Sequence, residues 1–155
     1  MHADDGQKLV LDMNNLKAFI VEDSALVLRE LSSVLAETAA IRVVASADSE
    51  SDALKTLRVA SSAYDLIVID VFLKQGSGLR VLRDAKALHP KARVVVLTNY
   101  ATLDVRKRCV SLGADRVFDK AKQLEDLIDY CARLSGVDDL QHADEGPPTV
   151  PSGAA

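Results

Sequence analysis

The sequence has no tryptophan, only two cysteines, three histidines, four prolines and seven glycines among its 155 residues. Two cysteines are too few for a disulfide-stapled scaffold, and a chain of this length buries a real core without one. Cys109 and Cys131 both fall within helix-like patterns, where a thiol pair reads as core packing rather than a disulfide or a metal site. His2, His89 and His142 are scattered, so no zinc-type spacing exists. No apolar run approaches the ~20 residues of a membrane span, and the first residues lack the apolar centre of a signal peptide. The chain is therefore expected to be cytoplasmic, with no membrane partner. A basic excess is missing too. The formal net charge is −4, and setting aside Asp138, Asp139, Asp144 and Glu145 leaves nineteen acidic residues against nineteen basic. That balance argues against nucleic acid as a partner, since phosphate backbones select a net basic face. The one dense basic run, Arg106-Lys107-Arg108, reads as a solvated helix face, with partner docking as the minor alternative.

Three segments follow from composition. Residues 1–15 form a polar arm. Residues 16–136 carry the foldable pattern. Residues 137–155 are acidic and rich in Pro and Gly, which predicts a disordered tail. Within the middle segment, Leu16 to Val21, Leu66 to Ile69 and Val94 to Leu97 are continuous apolar runs, as expected of strands buried on both faces of a parallel sheet. Ile41 to Ala45, interrupted by Arg42, and the short Arg116 to Asp119 read as weaker edge strands.

Helical patterns separate these strands. Ser24 can cap a helix whose Val27, Leu28, Leu31, Val34 and Leu35 share one face. Asp52 to Ala60 groups Ala53, Leu54, Leu57 and Ala60. Ser77 can cap a helix with Leu79, Leu82, Ala85 and Leu88, stopped at His89-Pro90. Leu103 to Leu112 ends at Gly113, and a last helix is lined by Leu124, Leu127, Ile128, Cys131 and Leu134. The expected fold is α/β: a three-layer, doubly wound (βα)5 sheet. Three buried runs flanked by two weak ones fit the order 2-1-3-4-5 already known among such sheets.

Ligands of open α/β sheets bind beyond the carboxyl ends of the strands. Here strand 1 ends in Glu22-Asp23, strand 3 in Asp70, strand 4 in Thr98 and strand 5 in Asp119-Lys120. Strands 1 and 3 are neighbours in the proposed order, so Glu22, Asp23 and Asp70 converge. Three carboxylates repel one another unless a cation sits among them, and hard oxygen ligands suit Mg²⁺. Lys120 supplies a further cation and Thr98 a hydroxyl. Together they form a site where a phosphoryl group can pass to a carboxylate oxygen.

The sequence resembles the receiver domain of bacterial response regulators from about Leu16 to about Leu134. The resemblance rests on Ala18-Phe19-Ile20-Val21-Glu22-Asp23-Ser24, Asp65 through Leu73 with Gly76-Ser77-Gly78-Leu79, Val94 through Asn99, and Gly113 through Lys120. It implies Asp70 as phosphoacceptor and Asp23 as a Mg²⁺ ligand, with Glu22 acting through water and the Phe72 carbonyl as a further ligand. Thr98 and Lys120 would bind the phosphoryl group. It further implies a sensor histidine kinase or histidine phosphotransfer protein as donor. Output would pass through protein contacts, and a weak homodimer could form through the face of helix 4, strand 5 and helix 5. The chain is thus expected to be a stand-alone signalling receiver, not an enzyme. A phosphate-independent interaction module on the same fold is the alternative. Two departures stand out. The family usually has an aromatic three residues before the Lys, where this chain has Val117, and alternation sends the adjacent Phe118 to the other face. Ala121 and Lys74 stand where prolines are usual. Phe72 and Tyr100, two beyond Asp70 and Thr98, are expected to flank the path of an attacking water and slow loss of the phosphoryl group. Other chemistries on this broad fold fit poorly. An aspartyl phosphatase would want a carboxylate where Phe72 stands, and Glu22-Asp23 would repel a flavin phosphate.

Overall fold

The computed structural model describes residues 15–59 and 63–137. The arm of residues 1–15 (apart from Asn15), the tail beyond Val137, His2, His142 and Ala60 lie outside the described residues.

Strands β1 (Leu16–Val21), β2 (Ile41–Ala47), β3 (Leu66–Ile69), β4 (Arg93–Thr98) and β5 (Arg116–Asp119) alternate with helices α1 (Ala25–Ala39), α2 (Glu50–Leu57), α3 (Gly78–Leu88), α4 (Leu103–Ser111) and α5 (Leu124–Ser135). The strands form one parallel sheet in the order β2-β1-β3-β4-β5, as expected from the sequence. The interrupted strand β2 and the short strand β5 are its edges, as expected.

Strand alternation divides the core into two layers. Phe19, Val21, Ile67, Ile69, Val94, Val96 and Val117 point toward α2, α3 and α4, meeting Leu57, Val81, Leu82 and Cys109. Ala18, Ile20, Leu66, Val68, Val95, Leu97 and Phe118 point toward α1 and α5, meeting Leu31, Leu35, Leu127 and Cys131. Val117 and Phe118 thus lie on opposite faces, as their alternation requires. Burying each of the larger aliphatic side chains contributes about 2 kcal/mol.

Both cysteines are free and buried, one in each layer. Burial pushes the Cys131 thiol up to about 12 and raises that of Cys109. Neither is a thiolate near neutral pH. Ellman's reagent at pH 8 is expected to titrate no thiol in the folded protein and two after denaturation. One fast-reacting thiol under native conditions would contradict this packing.

Several helix details differ from the sequence reading. Helix α2 begins at Glu50 rather than Asp52, because Ser49 is the cap and accepts from the Asp52 amide at 3.2 Å. Leu88 and Leu124 are 48% and 43% exposed. They continue the apolar periodicity at the last residue of α3 and the first residue of α5. Val81, not singled out by the pattern, is fully buried on α3.

Two aspartates stitch the rim opposite the strands' carboxyl ends. Asp65 Oδ2 accepts from the Lys17 amide at 2.8 Å, and Asp65 also exchanges backbone bonds with Lys17 and Arg93. Asp115 Oδ2 accepts from the Val94 amide at 2.8 Å and from Lys86 Nζ at 3.0 Å. At the carboxyl-end rim, Gly78 is required by close approach. A Cβ there would stand 2.2 Å from the Asp70 carbonyl oxygen, so α3 begins hard against the main chain of Asp70.

Candidate functional site

Parallel pairing delivers the strand ends to one rim. Val21 pairs with Ile69, so the next residues, Glu22 and Asp70, emerge side by side. Their own amides bond across the sheet, Asp70 N to the Val21 carbonyl and Glu22 N to that of Ala47, both at 2.9 Å. Thr98 pairs with Asp119, and the Lys120 amide donates to the Thr98 carbonyl at 2.8 Å.

The side chains of Glu22 and Asp70 are buried, and the Lys120 ammonium bridges them. Lys120 Nζ lies 2.9 Å from Asp70 Oδ2 and 2.5 Å from Glu22 Oε1. Burial opposes the charge on Lys120, but the hydrogen bonds and charges of Glu22 and Asp70 outweigh it and hold the pKa above the usual lysine value. The remaining oxygens are held by main-chain amides. Glu22 Oε2 accepts from Ser24 N at 3.0 Å, Asp70 Oδ1 from Phe72 N at 3.0 Å, and Asp23 Oδ2 from Lys74 N at 2.7 Å. Ser24 also caps α1 through the Val27 amide at 3.3 Å, so the positive end of that helix faces the carboxylates.

Glu22, Asp23 and Asp70 each offer an oxygen within 4.8 Å of the others. Three carboxylates against one ammonium leave the cluster two charges negative. A hard divalent cation matches both that charge and the all-oxygen donor set, and Mg²⁺ takes such ligands with octahedral spacing. The residues present therefore fit Mg²⁺. The cluster opens into a cleft of about 990 Å³ that continues along α1 and α5 past Val27, Leu124 and Ile128.

Five of the six residues expected from the sequence meet at this cluster. Glu22, Asp23, Asp70 and Lys120 contribute side chains, and Phe72 lays its main chain against Asp70. Thr98 is joined to the cluster through its backbone. Its side chain is fully buried, and its hydroxyl oxygen accepts from the Tyr100 amide at 3.3 Å. Phe72 and Tyr100 touch edge to face, ring centroids 5.1 Å apart; both are exposed, and Phe72 lines the cleft. Sequence reasoning gave no role to the amides of Ser24 and Lys74 or to Gln123. It also placed Arg106 on a solvated face. The Arg106 guanidinium instead turns inward and bonds to the main chain at Ala101 and Val117 and to the side chain of Gln123. The partners lie 11 and 17 residues away for the last two, so no local pattern signals them.

The family model "Response regulator receiver domain" matches residues 18–132. The DNA-binding transcriptional activator DevR/DosR of Mycobacterium tuberculosis is 31% identical over 99 residues, covering 64% of this chain and 45% of that protein. A response regulator from Burkholderia pseudomallei, solved with a phosphorylated aspartic acid, a calcium ion and citrate, superposes with a TM-score of 0.65 at 23% identity, covering 87% of this chain and 77% of that one. A CheY-like receiver domain protein from Methanospirillum hungatei superposes with a TM-score of 0.67 at 21% identity, covering 82% and 98%. The chain thus spans less than half the length of the curated relatives it matches. Among the described residues no helix is long and apolar enough to cross a membrane.

Proposed function

Because the chain belongs to the response regulator receiver domain family, phosphoacceptors of two-component signalling, we propose that it takes a phosphoryl group on Asp70 from a phosphohistidine donor with Mg²⁺ in the acidic pocket. The observation that carries this reading is the Lys120 ammonium held between Asp70 and Glu22 at the ends of neighbouring strands.

In the transfer, a carboxylate oxygen of Asp70 forms a P–O bond as the P–N bond to the donor imidazole breaks. The electron pair leaves with the imidazole nitrogen, which then takes a proton. Phe72 N keeps Asp70 Oδ1 oriented, so the oxygen facing Lys120, Oδ2, is the one placed to attack. Lys120 passes from that oxygen to a phosphoryl oxygen, and the Thr98 hydroxyl, whose proton is free of the Tyr100 bond, donates to another. Asp23, Asp70 and the Phe72 carbonyl would hold Mg²⁺ directly and Glu22 through water. When bound it neutralises charge on the phosphoryl oxygens.

Receiver domains act with histidine kinases and downstream effectors. For this chain we place the donor as a sensor histidine kinase or a histidine phosphotransfer protein. Output is proposed to pass through protein contacts of this receiver domain, in the cytoplasm, rather than through nucleic acid, membrane or an enzymatic turnover of its own. The face of α4, β5 and α5 is the expected output and weak-dimer surface.

Phe72 and Tyr100 would shield the acyl phosphate from water. Phe72→Ala and Tyr100→Ala are each expected to shorten its lifetime several-fold, read as phosphate release from the labelled protein. Unchanged lifetimes would leave the two rings without this role.

The test of the proposal is intact mass after incubation with a small phosphodonor, with and without Mg²⁺, followed by peptide mapping. One added phosphoryl group on the Asp70 peptide, dependent on Mg²⁺, is expected. No gain, with no Mg²⁺ binding, would reassign the chain as a phosphate-independent interaction module.

A further inference from the structure

Arg106 stands in the first turn of α4, and each of its three guanidinium nitrogens donates a hydrogen bond. Nε donates to the Ala101 carbonyl at 3.0 Å, Nη1 to the Val117 carbonyl at 2.9 Å and Nη2 to Gln123 Oε1 at 2.6 Å. It makes no ion pair among the described residues. All three acceptors are neutral, so what the guanidinium contributes here is geometry rather than charge pairing.

The acceptors belong to the two segments that carry the phosphoryl-binding groups. Ala101 lies in the segment leaving Thr98, where Tyr100 N also reaches the Thr98 hydroxyl. Val117 and Gln123 bracket Lys120. Gln123 Oε1 accepts from the Asp119 amide at 3.0 Å as well as from Arg106. The Gln123 amide returns to the Asp119 carbonyl at 2.8 Å, and Asp119 Oδ1 takes the amides of Ala121 and Lys122. The turn bearing Lys120 is therefore closed on itself through Gln123, and Gln123 is fixed from outside by Arg106. Because β5 is an edge strand, the Val117 carbonyl and Asp119 amide face away from β4, and Arg106 and Gln123 satisfy them. Covering an edge explains two of the three bonds. The bond to Ala101 does not belong to the edge. It ties the Lys120 turn to the exit of β4.

We propose that Arg106 is a positioning residue for Lys120, its fork setting the spacing between the Lys120 turn and the segment after Thr98 so that both groups meet one phosphoryl group. A shift of either segment on phosphorylation is then passed to the other through the same guanidinium. The inference rests on Asp70 being the acceptor, as proposed above.

The full chain and its Arg106→Met and Arg106→Lys variants test it. ¹⁵N-resolved spectra report the Arg106 Nε–H and the Asp119, Lys120 and Gln123 amides, before and after Mg²⁺ with beryllofluoride as acyl-phosphate mimic. The wild-type Arg106 Nε–H signal is expected to be resolved and to move on adding the mimic. In Arg106→Met the Lys120 amide should exchange faster, and phosphorylation by acetyl phosphate should slow about tenfold, the scale of a small misplacement of a binding group. Arg106→Lys should not restore the rate, since an ammonium cannot present a planar fork to three acceptors. Thermal unfolding checks that the variants remain folded. A wild-type rate in Arg106→Met, or an Arg106 signal unmoved by a mimic that does shift Asp70, overturns the inference. A wild type that gains no phosphoryl group and ignores the mimic overturns the acceptor reading instead. In that case an unchanged Lys120 exchange rate in Arg106→Met removes the positioning role as well, and a faster one leaves Arg106 holding the turn.

Discussion

Asp70→Asn is expected to gain no phosphoryl group under conditions where the wild type gains one, and to melt within a few degrees of it. The first half follows from chemistry, since an amide oxygen has neither the charge nor the nucleophilicity to form the acyl phosphate. The second half follows from opposed electrostatic terms. Removing the Asp70 charge loses its attraction to Lys120 at 2.9 Å but relieves repulsion from Glu22 and Asp23, whose oxygens lie within 4.8 Å. With an effective dielectric near 20, the lost attraction is roughly 6 kcal/mol gross and the two relieved repulsions roughly 3 to 4 kcal/mol each. They nearly cancel. Asn also retains an oxygen for the Phe72 amide. Intact mass and a thermal melt decide the point. Phosphoryl gain in the variant would mean another acceptor, and a collapse in stability would mean that the loss of function reports unfolding.

Lys120→Met should be the more damaging change to the fold. The Lys120, Glu22 and Asp70 side chains are 13%, 4% and 8% exposed, so the substitution leaves two buried carboxylates with no cation between them. Removing one member of a buried ion pair costs about 3 kcal/mol or more. In a domain of this size that lowers the melting midpoint on the order of 10 °C. Added Mg²⁺ should recover more stability in the variant than in the wild type, because it replaces the missing positive charge. It should not recover the phosphorylation rate, expected to fall about a hundredfold when one pre-set donor to the phosphoryl oxygens is removed. Denaturant melts with and without Mg²⁺, beside acetyl phosphate kinetics, separate the two roles. A variant as stable as the wild type without Mg²⁺ would show that Lys120 is solvated rather than holding the cluster.

Much of this arrangement was legible in the residues. The unbroken runs Leu66 to Ile69 and Val94 to Leu97 have no polar position to face water, so they mark central strands. Glu22, Asp23, Asp70, Thr98 and Lys120 are legible because each closes a strand, and parallel strands end on one rim. What escaped depends on contacts at long range. The run Asp48 to Asp52 holds several potential caps, and only the backbone at Ser49 decides among them. Leu88 and Leu124 keep the helical period at a helix terminus yet stay half exposed, which the period alone does not reveal. A basic triplet reads the same whether its arginine points to water or across to another segment's carbonyls, so the inward turn of Arg106 left no local trace.

The stitching by Asp65 and Asp115 bears on where this domain can be cut or extended. Asp65 just before β3 and Asp115 just before β5 stand between elements, where an insert or new termini would ordinarily be placed. Each, however, carries a carboxylate that fixes the starting register of a neighbouring strand, β1 from Asp65 and β4 from Asp115. A graft at either aspartate would disturb two strands at once, including the strand whose far end carries Glu22 or Thr98. Sensor fusions and circular permutants broken there are expected to lose stability and phosphoryl acceptance together, even though the break lies at the opposite end of the sheet from the acceptor.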